Sequence, residues 1–178
     1  MFKVLLAAAI LSFSCHLCNC AVKTAYVHLR DPSGSTEVTG ELNFTQTANG
    51  VRIHGKILGI HEGLHGGHVH ESANIGRSCA GAGGVFNPHN VPHGSPKDKI
   101  RTVGDLGNVV ADEYGVAVVD FFDDLVRLNT DVDGVIGRSY VIHEKEDDLG
   151  RGNNKESKTN GNCGGLIACG VIEVLEED

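Results

Sequence analysis

A two-residue hydrophobic rhythm, started and stopped eight times, restricts this chain more than any other feature. It runs through VKTAYVHLR, EVTGELNFTQ, VRIHGKILGI, GHVHE, NVVADEYG, VAVVDFFDD, RSYVIHE and ACGVIEVLE, with Gly, Asn and Asp clustered between the runs. Side chains alternate faces along a strand, so each run can bury one side of a sheet and leave the other wet. No stretch has a convincing helical period. Eight short runs separated by turn residues predict an all-β domain, an antiparallel sandwich or barrel. ANG at 48–50 and DEYG at 112–115 have the composition of hairpin connections. Residues 72–106 and 145–165 interrupt the rhythm with Gly, Asn, Ser, Pro and charge, and loops of that length inside one domain are usually functional. There is no internal repeat and no boundary between domains.

The opening stretch, MFKVLLAAAILSFSCHLCNC, lacks the rhythm. A Lys, an apolar run and then small residues form the pattern of a secretory leader, and the run is too short to span a bilayer. Cys18 and Cys20 suit cleavage before Ala21, and Ser12 and Ser14 suit an alternative cleavage before Cys15. We therefore expect a leader at 1–20, one domain at 21–178 with a sizeable core, and a secreted, extracellular protein. Export would make Asn43, in the sequon NFT, available for glycosylation. Losing Lys3 with the leader takes the net charge from −8 to −9. Such a surface has no basic footprint, which argues against nucleic acid and anionic membranes as partners.

Three of the six cysteines, Cys15, Cys18 and Cys20, leave with the leader, and Cys79, Cys163 and Cys169 remain. An odd number in an oxidising compartment permits one disulfide within the chain. Cys163 and Cys169 are too close in sequence to gain much from closing a loop, whereas a Cys79–Cys169 bond would tether a long irregular segment to the last strand. The long-range pair is expected. Cys163 is then free, buried as a small apolar residue, or linked to a second chain.

The chemistry concentrates in HGGHVHE at 65–71. Residues two apart on a strand share a face, so His68 and His70 can point at one ion, and neutral imidazole is the usual ligand for copper and zinc. Spacing alone is weak, because paired strand histidines are more often surface decoration. The wider pattern is more specific. GLHGGHVHE, FNP, HGSPKD, VGDLGNV, GVIGRSYVIHEKEDDLG and GNCGGLIACGVI occur in the order and spacing of the copper/zinc superoxide dismutases, and the resemblance covers residues 22–175. It implies a closed eight-stranded antiparallel Greek-key β-barrel with the active site outside the barrel wall, under the two long loops. It also supports the Cys79–Cys169 pair. On the same resemblance, His68, His70 and His143 match copper ligands, and His93 and Asp105 match zinc ligands. Asp147 matches the aspartate that links a copper histidine to a zinc histidine, and His65 matches a residue that closes the barrel without binding metal.

Three positions depart from the family pattern. The histidine that would bridge copper and zinc directly precedes FNP, and that place is Val85; the spacing from Cys79 to Phe86 is the family's, so no shifted alignment supplies a histidine. A zinc histidine three residues before Asp105 is Thr102, and the arginine that guides superoxide is Leu166. Zinc takes four tetrahedral ligands in structural sites, so no native zinc site is expected, with His89 read as a loop histidine rather than a substitute. Three imidazoles suit one Cu(I) per chain. Val85 cannot return a proton to reduced dioxygen, and Leu166 removes charge from a place where steering can change association rates by 10 to about 1000-fold. Arg151, Lys155 and Lys158 are the loop cations available to compensate, although each reads more readily as a solvated charge. His28, His54 and His61 read as surface or strand positions without partners.

Two functions of different class follow. One is a secreted, superoxide dismutase-like copper-binding protein with impaired or absent turnover. The other is an active copper-only dismutase using three histidines. A homo-oligomer is expected on the resemblance, and the acidic surface, DVDG at 131–134 and the EVLEED tail suit divalent metal ions.

Overall fold

The structure, a computed structural model, describes residues 22–129 and 131–177. The expected leader at 1–20 lies outside the described residues. Among the described residues nine strands form: β1 (Val22–Arg30), β2 (Thr39–Gln46), β3 (Val51–Leu58), β4 (Gly63–His70), β5 (Asp105–Ala111), β6 (Val116–Asp123), β7 (Ser139–His143), β8 (Leu166–Val171) and β9 (Glu173–Glu177). Their neighbours run β2-β3-β6-β5-β4-β7-β8-β1, and pairing of β1 with β2 closes the ring. β8 and β9 both pair with β1 on either side of the single residue Ile172, so the nine segments occupy eight barrel positions. The expected antiparallel eight-stranded Greek-key barrel is the fold observed. ACGVIEVLE, read as one strand, is broken because Ile172 turns inward and is fully buried.

The rhythm becomes a core as expected. Ala25, Val27 and Leu29 on β1, Leu42 and Phe44 on β2, Val51, Ile53 and Ile57 on β3, and Ala117 and Val119 on β6 enter one buried cluster at two-residue spacing. Each buried Leu, Ile or Phe contributes on the order of 1.5–3 kcal/mol. Gln46 and Val51 end a full antiparallel register between β2 and β3, so the ANG turn is a hairpin, and DEYG joins β5 to β6 in the same way. The connection between β6 and β7, residues 124–138, is a third long crossing that alternation did not separate from its neighbours.

Two strands break the one-face rule. Every residue from His65 to His70 on β4 is buried, and so are all five residues of β7. Their inner side chains, Val69, Tyr140 and Ile142 among them, belong to the core. Their outer faces are covered by the two long loops. The first returns to the barrel wall through Phe86, whose N–H donates to Val69 O, and through Gly104, whose O accepts from Val69 N. The second carries a short helix, α1 (Ser157–Asn160), and donates Asp148 N–H to Gly161 O within itself. A Cβ at Gly67 would collide with the Tyr140 hydroxyl, so this position on β4 requires glycine.

Cys79 and Cys169 form the expected disulfide across 90 residues of chain, and Cys163 is a buried free thiol. The bond sits in a small satellite cluster with Ala82 and Val141, against which Ile75 and Leu166 pack. No helix of the described residues is long and apolar enough to cross a membrane. Closing a loop of this length restricts the unfolded chain by several kcal/mol in the chain-entropy picture. Replacing both cysteines by alanine should therefore destabilise the fold by about 2–5 kcal/mol, read as a lower midpoint in denaturant unfolding; an unchanged midpoint would mean the first long loop is held by its hydrogen bonds alone.

Candidate metal centre

β4 turns His68 and His70 to its outer side, and β7 ends on His143, so two adjacent strands deliver three imidazoles beneath the loops. His68 pairs with Val141 and His70 with Ser139 in the β4–β7 register, which fixes the three residues relative to one another. One nitrogen of each ring lies within 4.8 Å of the others. Which nitrogen is left for a ligand is set by what holds the other. His68 Nε2 donates to Asp147 Oδ2 at 2.9 Å, and its Nδ1 is buried with no hydrogen-bond partner. His70 Nδ1 donates to Gly83 O at 2.8 Å, and His143 Nδ1 points more loosely at Gly164 O at 3.4 Å.

The Nε2 atoms of His70 and His143 then face each other at 3.2 Å. With both rings protonated at Nδ1 these are two lone pairs, an arrangement that a cation between them relieves. Burial and the neighbouring His68 push the His70 pKa down to about 4; burial, His68 and His70 push that of His143 down to about 2. Both rings are therefore neutral, the form that binds metal. An orphaned buried Nδ1 and two opposed lone pairs fit copper, which accepts imidazole donors readily.

The zinc side differs. His93 Nδ1 lies 2.6 Å from Asp105 Oδ1, and its Nε2 lies 2.8 Å from Asp147 Oδ1. Burial alone would lower its pKa, but hydrogen bonds to Asp105 and Asp147 override this and raise it to about 9. His93 is thus an imidazolium held between two buried carboxylates. Burial would raise the Asp147 pKa, but hydrogen bonds from His68 and His93 hold it far below the usual carboxylate range. Asp105 Oδ2 is taken by the N–H groups of Gly94 and Thr102. His68, His93 and Asp147 are also close enough to be counted as a possible ligand group. We read them as a hydrogen-bond relay, because an ion there would displace the two N–H donors that Asp147 accepts. Thr102 offers only a hydroxyl, buried without a partner, and Val85 offers no donor atom. These residues do not make up the four-ligand set that zinc takes.

Each departure sits beside a ligand. Val85 forms an isolated bridge with His70 and borders an open cleft of about 520 Å³ lined also by Glu71, Asn87, Lys158 and Thr159. Leu166 is the register partner of His143 and leans on the disulfide cluster. Of the loop cations, Arg151 pairs with Asp98 at 2.8 Å and Lys158 donates to Gly150 O, while Lys155 is exposed. His89 is engaged with Asp133 at 2.6 Å, apart from His93 and Asp105. His65 holds the barrel end, its two nitrogens 2.9 Å from His143 O and His61 O. His28, expected to lack partners, lies 3.6 Å from Glu41 and packs edge-on against Tyr26. Asn43 is half-buried in mid-β2, paired with Tyr26 and His54 in the neighbouring strands.

Sequence reasoning missed several supports. Asn108 clamps Asp147 by its backbone, donating Nδ2–H to Asp147 O and accepting Asp147 N–H at Oδ1. Gly83 supplies the carbonyl for His70. Gly161, at φ 72°, passes so close that a Cβ would strike Asp147 Oδ1 and crowd His93 Nε2. A glycine in a polar loop carries no signal of that kind until the loop is folded.

The profile of the family described as copper/zinc superoxide dismutase (SODC) matches residues 38–172. An extracellular superoxide dismutase [Cu-Zn] of Caenorhabditis elegans is 44% identical over 142 residues, 80% of this chain and 64% of its own length. The chain thus spans under two thirds of that relative. The extracellular enzyme of Drosophila melanogaster is 44% identical over 80% of this chain and 79% of its own, and superoxide dismutase [Cu-Zn] A of Xenopus laevis is 49% identical over 79% and 92%. Among solved structures, that of the clock protein EA4 superposes with a TM-score of 0.80 at 40% identity, covering 87% of this chain and 96% of its own.

Two outcomes follow for the metal-free protein. His93 has a folded pKa raised from 6.5 to about 9, so its stabilisation is complete below pH 6.5 and is lost as pH rises through 9. Thermal unfolding should show stability falling by up to about 3 kcal/mol across that window, and His93→Gln should flatten the slope. Gly161→Ala should displace Asp147 from His68 and weaken Cu(I) binding by roughly 10–100-fold, measured by competition with a chromogenic chelator.

Proposed function

This chain belongs to the copper/zinc superoxide dismutase family, and from that premise we propose that it is an exported copper-binding member in which superoxide turnover is impaired or absent. The observation that carries the reading is the pairing of three convergent, neutral imidazoles with an aliphatic side chain, Val85, at the adjoining corner. His68 Nδ1, His70 Nε2 and His143 Nε2 would hold one copper per chain, and copper in that place would supply one-electron exchange. No zinc accompanies it, since His93, Asp105 and Asp147 satisfy one another by hydrogen bonds. Asp147, Gly83 and Gly164 orient the three rings and set which nitrogen is left free.

What the remaining residues do favours holding over turnover. Val85 has no atom that can carry a proton, so protons for a reduced substrate would have to come from solvent in the adjacent cleft. Leu166, beside His143, presents no charge to an anion. Arg151 and Lys158 are each engaged elsewhere. Extracellular placement is supported by the leader pattern and by relatives named as extracellular enzymes. Among extracellular members of the family the sequence resembles the bivalve haemolymph protein cavortin (dominin), which fits a carrier or bulk plasma role, and Asn43 is its proposed glycosylation site.

The chain purified without its leader should bind one equivalent of Cu(I) in equilibrium dialysis, and His70→Ala should bind much less. Loaded with copper, it should dismutate superoxide at least tenfold, and up to about 1000-fold, more slowly than a Leu166→Arg, Val85→His, Thr102→His variant, which should also take up zinc. Wild-type turnover near the diffusion limit would replace this reading with that of an active copper-only dismutase. Failure of the wild type to bind copper would leave a metal-free assembly protein.

A further inference from the structure

A second concavity, of about 390 Å³, opens where the turn at 95–97 of the first long loop meets the start of β5, the end of β6 and Leu149 of the second long loop. It shares no residue with the cleft beside Val85 and includes none of the three imidazoles. Its walls are Pro96, Leu106, Phe121, Phe122 and Leu149. Leu106 and Phe121 are anchored in the core, whereas Phe122, the next residue along β6, is 51% exposed. A cleft of this size with an apolar lining falls at the small end of those that take organic ligands.

The shape is set by the chain itself. Gly107, at φ 75°, leaves room for its neighbours, and a Cβ there would press on Pro96 Cγ at 3.0 Å. Leu149, a non-glycine residue held at φ 58°, donates its N–H to Asp147 Oδ1 at 2.7 Å. Both ends of the Asn108 amide are spent on the Asp147 backbone. Asp98 closes the turn by accepting from Ser95 N and Arg151 Nη2. Walls fixed in this way spare a ligand the cost of ordering them.

One rim is polar and cationic. Lys97 is exposed and forms no ion pair among the described residues, while Asp98 beside it is taken by Arg151. Ser95 Oγ accepts the Lys97 N–H at 3.2 Å, and its own hydrogen has no acceptor among the described residues. An ammonium and a free hydroxyl side by side suit a carboxylate, and the rings behind them suit a flat apolar body. We infer that this cleft between the first long loop, β5, β6 and Leu149 is a binding site for a small aromatic monocarboxylate. Its ring system lies against Phe121, Phe122 and Pro96, and its carboxylate meets Ser95 and Lys97. The site does not depend on copper.

2-Naphthoate is a suitable probe, because the chain has no tryptophan to obscure its fluorescence. Titrated with the metal-free chain purified without its leader, it should bind saturably at a single site. Lys97→Gln should weaken binding about three- to tenfold, and Phe122→Ser at least about fivefold. The uncharged 2-naphthamide should bind more weakly than the acid and should not distinguish wild type from Lys97→Gln. Lys158→Gln, which alters the other cleft, should leave naphthoate binding unchanged. Thermal unfolding and Cu(I) uptake should match wild type in Lys97→Gln and Phe122→Ser, showing that fold and metal centre are intact. Absence of binding at millimolar naphthoate overturns the inference, and so does an amide that binds as tightly as the acid. Affinity that survives both Lys97→Gln and Phe122→Ser, or that falls with Lys158→Gln instead, places the ligand elsewhere and overturns it as well.

Discussion

A single buried carboxylate organises the outer face of this barrel. Asp147 accepts a hydrogen bond from His68 on one oxygen and from His93 on the other, and neither partner is exposed to water. His68 belongs to β4, His93 to the first long loop and Asp147 to the second, so one side chain ties both loops to the wall. A buried charge is tolerated only when hydrogen-bonded and compensated, and here the compensation is the His93 imidazolium. The backbone clamp from Asn108 on β5 and the close passage of Gly161 hold the carboxylate in place. The direction of the free His68 nitrogen follows from that arrangement.

The two halves of the site are built differently. The half built from β4 and β7 rests on strand register, with Asp147 holding His68 and backbone carbonyls facing His70 and His143, so its three donors converge beside the aliphatic Val85. In the half built from loops, Val85 and Thr102 present no imidazole, and His93 is hydrogen-bonded to both Asp105 and Asp147. Both halves keep their loops ordered against the barrel, which keeps β4 and β7 buried on both faces.

Leu166 is held beside the site by packing. It faces the same strand end as His143 and joins Ile75 against the Cys79–Cys169 disulfide. The outward apolar residues of β4, β5 and β6 follow a different logic, since they stand on the wet side of the sheet and contribute nothing to the core.

Alternation of residue types was enough to determine the strands, their one wet face, two hairpin turns and two of the long loops, because burying one side of a sheet leaves a period of two in any sequence. The family resemblance, more than spacing, indicated that His68, His70 and His143 converge. The break at Ile172 and the crossing at 124–138 left no such trace. Nor did the full burial of His65 through His70, since burial of a second face depends on what folds over it. The partner of each ring nitrogen, the clasp of His93 between Asp105 and Asp147, and the roles of Gly83, Asn108 and Gly161 were decided only in the tertiary structure. Each is a contact between segments distant in sequence, where direction and distance to a partner, rather than residue type, set the chemistry.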